Sequence, residues 1–161
     1  EYVDLLSSPN RKKINTLTYA DFMLESIEEC INRATVDLPV YNGSAQDWRD
    51  KHTHLLDYLG RIILIPDNAF TQHTNKEYEK KGRIDLLDAV AETIRTPDEV
   101  WINDYEKTGK TNVNFIKYYK GKMINVVCRL NNLQYSISTW YDVFINEKTR
   151  HKYRRGLLIK K

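Results

Sequence analysis

Between residues 99 and 141 apolar and polar side chains alternate in runs separated by turn residues. Val100 and Ile102 fall on one face of the first run with Asp104, and Trp101, Asn103 and Tyr105 on the other. Runs at 113–119, 123–130 and 134–141 follow, rich in Val, Ile, Tyr, Phe and Trp. The breaks hold Gly109, Gly121 and the pair Asn131-Asn132, residues that tolerate positive φ. Such spacing predicts an antiparallel meander. Asp142 to Ile145 extends the last run, and 153–159 reads as a further short strand.

The first half has helical spacing instead. Phe22, Met23, Ile27, Cys30 and Ile31 predict an amphipathic helix over 19–34, capped by Thr18 and carrying an acidic outer face. A second helix is expected over 47–58 and a third over 68–79, capped by Asp67. Ile84, Leu87, Val90 and Ile94 give the clearest stripe, over 84–95, and Thr96-Pro97 ends it. The apolar run at 61–65 predicts a strand buried on both faces. The expected class is α+β, with N-terminal helices packed on a four- to five-stranded antiparallel sheet. The expected division is a helical segment or linker at 1–60 and a domain at 61–161.

Charge changes the picture more than composition does. Residues 1–98 carry 12 Lys/Arg against 17 Asp/Glu, a net of −5. Residues 99–161 carry 13 against 5, a net of +8. A cationic sheet half points to an anionic partner, with mutual attraction of the two halves as the competing explanation. The 41 % apolar fraction suits a globular fold, and no run is long enough for a membrane helix. Cys30 and Cys128 form no metal-binding spacing and read as buried free thiols in a reducing compartment. No cofactor is expected.

One succession of residues goes further: Ile65, Phe70 and His73; Leu86-Leu87; Thr96-Pro97-Asp98-Glu99-Val100-Trp101; Ser138-Thr139-Trp140; and Tyr153-Arg154-Arg155-Gly156-Leu157-Leu158. Over about residues 62–161 it resembles the phage-associated branch of the barnase/EndoU/colicin/RelE-like nucleases. These domains occur at the C-termini of phage head-morphogenesis proteins and bacterial polymorphic toxins. The resemblance implies helices before a four-stranded antiparallel sheet, and metal-independent RNA cleavage.

Such cleavage needs a base for the 2′-OH, an acid for the leaving oxygen, and cations for the phosphorane. Four histidines are present. His73 matches the family's helix position and is the expected acid–base residue. His52 and His54 lie in a Leu-rich helix and read as structural, and His151 falls in the basic tail. Arg154 and Arg155 are the expected phosphate ligands, one of them facing the cleft, because a guanidinium matches phosphate geometry. Ser138 and Thr139 match the family's small-hydroxyl position in the fourth strand. Alternation puts them on opposite faces, so at most one engages through its side chain. Arg83 with Lys80 or Lys81 would complete a cationic rim. Lys117, Tyr118, Tyr119 and Tyr153 are candidates for holding RNA, a tyrosine by stacking on a base. Trp101 reads as packing, and Glu99 as either a catalytic carboxylate or an ion-pair partner.

The leading expectation is therefore a metal-independent endoribonuclease that leaves a 2′,3′-cyclic phosphate. It would act on RNA, tRNA among the candidates, in the cytoplasm of a bacterial target cell. Delivery would be as the C-terminal part of a larger secreted or phage protein, with an acidic immunity protein as partner. An ADP-ribosyltransferase toxin domain, faintly matched at Ser136-x-Ser138-Thr139, and a non-catalytic nucleic-acid-binding module are the alternatives.

Overall fold

The computed structural model describes residues 25–74, 83–105, 109–144 and 153–161. The expected cap Thr18, the start of the expected first helix, Lys80, Lys81 and His151 lie outside them.

The described elements are helix α1 (Ile27–Arg33), helix α2 (Ala45–Lys51), strand β1 (Ile63–Leu64), helix α3 (Asp67–Thr74), a 3-10 turn (Ile84–Leu86) and helix α4 (Leu87–Arg95). Strands β2 (Glu99–Tyr105), β3 (Lys110–Tyr119), β4 (Lys122–Asn131), β5 (Gln134–Phe144) and β6 (Leu157–Lys160) complete the order. Each of α1 and α2 starts on a serine. Ser26 Oγ accepts from the Glu29 amide and Ser44 Oγ from the Asp47 amide.

The meander forms as the alternation predicts, but the sheet is larger than four or five strands. It has six, in the order β1-β5-β4-β3-β2-β6. β2 to β5 are antiparallel neighbours, and β6 returns antiparallel to β2. β1 pairs parallel with β5, Ile63 opposite Tyr135 and Leu64 opposite Ser136. The sequence predicts strands at both places, at 61–65 and 153–159, but not their pairing into this sheet, because each is short and pairs with a distant partner. β1 is also not buried on both faces. It is an edge strand whose Ile63 points inward while Leu64 is exposed.

The sheet's first face carries the main core. Val100, Val113, Phe115, Ile124, Val126, Ile137 and Trp140 pack there against Leu87, Val90 and Ile94 of α4, Phe70 of α3 and Trp48 of α2. Helices therefore sit between β1 and β2 in sequence, not only ahead of the sheet. The second face carries a smaller cluster in which Ile27 and Ile31 of α1 meet Trp101, Ile116, Tyr118, Met123, Val143 and Tyr153.

β5 keeps its apolar side chains on the first face through an irregularity. Val127 is opposite Thr139 but Cys128 is opposite Ile137, so Ser138 is an extra residue in β5. The bulge shifts the alternation by one. Tyr135 and Ile137 before it and Trp140 after it all reach the same core, while Thr139 and Tyr141 take the second face with their partners Val127 and Asn125.

Candidate active site

β1 pairs with only two residues of β5. Beyond them the β5 edge would present unpaired carbonyls, and side chains from the helical segment take them. His73, in the last turn of α3, places Nε2 3.1 Å from the Ser138 carbonyl. Arg83, ahead of the 3-10 turn, donates from Nη1 to the Trp140 carbonyl at 2.6 Å and to Thr139 Oγ1 at 3.0 Å. The Trp140 indole N–H returns a bond to the Arg83 carbonyl at 3.1 Å. The His73 ring stands edge-on to Trp140 at 5.3 Å, and the Arg83 guanidinium lies over Tyr141 at 5.9 Å. The Ser138 bulge thus turns the strand where the two side chains meet it.

Arg83 Nη1 is 3.4 Å from His73 Nδ1. A guanidinium only donates, so Nδ1 is the acceptor and Nε2 carries the proton toward Ser138. The carbonyl therefore fixes both ring orientation and tautomer, and leaves the basic nitrogen facing the guanidinium. The Thr139 hydroxyl oxygen accepts from Arg83, so its own O–H is a donor available to another group. Base, cation and hydroxyl donor converge at one half-buried spot.

Four sequence-predicted residues are brought together here: His73, Arg83, Ser138 and Thr139. Ser138 takes part through its backbone and Thr139 through its side chain. The others are elsewhere. Arg154 is buried, and its guanidinium grips Glu99 with two bonds, Nε to Oε1 at 2.9 Å and Nη2 to Oε2 at 2.7 Å. It also donates to the Glu25 carbonyl at 2.5 Å and to the Tyr118 hydroxyl at 3.0 Å. Glu99 accepts further bonds from the Trp101 indole at 2.9 Å and the Tyr118 hydroxyl at 2.6 Å. Burial alone would lower the Arg154 pKa, but the Glu99 hydrogen bonds and nearby negative charge outweigh it and hold it above its ordinary value. Of the two expected phosphate ligands, Arg154 faces the second core, not the His73 cluster, and Arg155 is exposed.

Tyr119 is wholly buried in the first core with its hydroxyl on Glu92 at 3.0 Å, and Tyr153 is buried in the second beside Tyr141. Lys117 donates to the Thr96 carbonyl at 2.7 Å. His52 stacks on Trp48 at 4.2 Å, in keeping with its structural reading. Both thiols are free, but Cys30 is only half-buried. Its Sγ lies 3.7 Å from Arg154 Nη2. Among the described residues no three His, Cys, Asp or Glu side chains lie close enough together to hold a metal ion, and no helix is long and apolar enough to cross a membrane. Sequence reading missed Trp140 and Tyr141 as site residues. Their contribution is a carbonyl, an indole bond and a ring face, none of which has a sequence signature.

A family described as phage-Barnase-EndoU-ColicinE5/D-RelE like nuclease 2 matches residues 43–160. The chain belongs to this nuclease family. The match starts before α2, ahead of the stretch on which the sequence resemblance rests, and so takes in Trp48 of the main core. No curated protein and no solved structure matches the chain.

The motif residues that carry the family resemblance prove to be in contact. Glu99 pairs with Arg154, Trp101 is opposite Leu158, and Val100 is opposite Lys160. Asp98 accepts the Tyr118 amide at 2.8 Å, and the Pro97 carbonyl accepts Lys160 Nζ at 2.7 Å. Gly156, at φ +88°, lies so close to β2 that an added Cβ would fall 1.8 Å from the Ile102 carbonyl oxygen. The two most recognisable segments together lock β6 to β2.

Proposed function

We propose that the chain is a metal-independent endoribonuclease whose reacting groups are His73, Arg83 and Thr139. The observation that carries this is the convergence of an oriented imidazole, a guanidinium and a hydroxyl donor at the β5 bulge in a member of a nuclease family.

In the reaction His73 Nδ1 takes the 2′-OH proton. The 2′-oxygen attacks phosphorus, the P–O5′ bond breaks, and the 5′-oxygen leaves with a proton from solvent. The products are a 2′,3′-cyclic phosphate and a 5′-hydroxyl. The scissile phosphate replaces Nδ1 as the partner of Arg83 Nη1, whose contact with the ring is long. The guanidinium then sits where charge develops on the non-bridging oxygens, and Thr139 O–H donates to one of them. The Ser138 carbonyl holds the imidazole throughout and stabilises it once charged.

Family membership favours this over an ADP-ribosyltransferase. The non-catalytic binding module is separated from it by one experiment. Total RNA, a tRNA pool and DNA are incubated with excess chelator and wild-type protein or His73→Ala. Discrete RNA fragments with 2′,3′-cyclic phosphate ends, reduced about 10²–10⁴-fold in the variant, are the expected result. Intact RNA, or equal cleavage by both proteins, overturns the assignment. The cationic sheet half also suits an acidic immunity partner in a toxin setting, which an interface leaving that half bare would refute.

A further inference from the structure

The sheet's second face is polar where α1 does not reach it. Cross-strand pairing puts Asn103 of β2, Asn112 of β3, Arg129 of β4 and Ser136 of β5 in one row. The next row holds Trp101, Asn114, Val127 and Thr139, and the one after it Glu99, Ile116, Asn125 and Tyr141. With strands about 4.8 Å apart, each row is about 14 Å long. The β5 ends of the second and third rows are Thr139 and Tyr141, the side chains that Arg83 touches.

Four polar atoms on this face are buried and have no hydrogen-bond partner among the described residues: Asn103 Nδ2, Asn112 Oδ1, Asn125 Oδ1 and Arg129 Nε. Asn103 is 8 % exposed and Asn125 fully buried. Orphaned polar atoms of this kind are costly, and native folds seldom keep several together without a purpose. Asn112, Arg129 and Ser136 remain half-exposed, so the row meets solvent at these residues while the unpartnered atoms themselves are buried.

The orphans are of both kinds. Asn103 Nδ2 and Arg129 Nε need acceptors, while Asn112 Oδ1, between them in the row, needs a donor. A phosphate offers acceptors only. The edge of a nucleobase offers a donor and acceptors side by side, and carboxamide and guanidinium groups are the side chains that match it.

We infer that the Asn103–Asn112–Arg129 row reads the edge of an RNA base flanking the bond cleaved at His73. This rests on the ribonuclease reading for its substrate, but it concerns base selection and can fail separately. The row lies on the face that Arg83 and Thr139 border, so a strand with its phosphate on Arg83 lays a neighbouring base across β4 and β3.

The test is binding of 2′-O-methyl hexamers of A, C, G and U, which lack the attacking hydroxyl, to the full chain by fluorescence anisotropy. Wild type, His73→Ala, Asn112→Ala and Arg129→Met are compared, with thermal melts as fold controls. Wild type is expected to prefer one base. Asn112→Ala and Arg129→Met are each expected to cut that preference about tenfold, and His73→Ala to keep it. An unchanged base profile in both row variants overturns the inference, even if RNA is cleaved. A uniform loss over all four hexamers with a shallower salt dependence in Arg129→Met also overturns it, because that marks a phosphate contact. Base preference lost in the row variants of a protein that cleaves nothing upholds base reading by the row and sinks the nuclease reading. If Asn112→Ala does not fold, Arg129→Met decides.

Discussion

Two arginines contact opposite ends of one cross-strand row about 14 Å long by strand spacing, Arg154 on Glu99 and Arg83 over Tyr141. Arg154 has 6 % of its side chain exposed, and its carboxylate partner 5 %. It is matched by a full counter-charge and fixed by bidentate geometry. Arg83 is half-buried and contacts two carbonyl or hydroxyl oxygens, an imidazole and a ring. A guanidinium neutralised in the interior contributes rigidity and has little charge left for a ligand. One half-buried at a strand edge is placed to turn its planar donors to an incoming phosphate. The same side chain thus does structural work at one end of the row and supplies the site's cation at the other.

Removing Arg154 should cost the fold most. Arg154→Ala leaves the Glu99 carboxylate buried and unpaired, and a loss of about 3–5 kcal/mol is expected in urea unfolding. The double variant Glu99→Leu/Arg154→Met should recover part of it, because apolar replacements do not strand a charge. A loss below about 1 kcal/mol for the single variant would mean that the pair is screened like a surface bridge.

At the other arginine the order of effects reverses. Arg83→Met is expected to lower RNA cleavage about 10²–10³-fold, the range for loss of one transition-state donor, and to move the unfolding midpoint far less than Arg154→Ala does. Cleavage within a few-fold of wild type would remove Arg83 from the site. Arg83→Lys should restore little, since an ammonium cannot span Thr139, the Trp140 carbonyl and a phosphate as the planar fork does.

Legibility follows the same division. Strands β2 to β5 stand where alternation puts them, because each has one face on a core and period-two patterning records that directly. The helix expected over 84–95 is present as the 3-10 turn and α4. The family could be recognised from its motif order, and the match confirms it. What sequence could not convey is which way a charged residue turns. Tyr153-Arg-Arg-Gly is as compatible with a cleft as with a core. It is the meeting of β6 with β2 that draws Arg154 inward, and that pairing joins segments 55 residues apart. The bulge at Ser138 is similarly silent. Simple alternation assigns Ser138 and Thr139 to opposite faces, and only the offset between Val127 and Cys128 shows that one of them is an inserted residue.

Gly156 tests whether the motif contact is a lock. Gly156→Ala puts a Cβ against the Ile102 carbonyl and a side chain in a backbone conformation that glycine alone adopts easily. A loss of about 1–3 kcal/mol from the strained backbone is expected, with β6 amides exchanging faster than those of β4. Cleavage per folded molecule should persist, because His73 and Arg83 are tied to β5. If the variant matches wild type in both stability and exchange, β6 does not depend on this approach.

The smallest effect separates the two ends of the row by pH. Burial first, and the Glu99 charge second, push the Tyr118 hydroxyl well above its ordinary value of 10. Burial likewise raises Tyr119, whose hydroxyl rests on Glu92. The folded chain therefore keeps protons that the unfolded chain gives up. The contribution of these two hydroxyls is full below pH 10 and is lost as pH rises beyond it, by at most about 1.4 kcal/mol per pH unit for each, alongside the losses from Cys30, Cys128, Tyr41 and Tyr58, which burial also raises. Tyr118→Phe removes one of these titrations. Its stability at neutral pH should fall by about 1.5–3 kcal/mol, since Glu99 loses a donor, while its alkaline decline becomes shallower. Arg83→Met should leave that decline as in wild type. If Arg83→Met changes the alkaline slope and Tyr118→Phe does not, the buried counter-charge belongs to the β5 end of the row, and the roles given to the two arginines are exchanged.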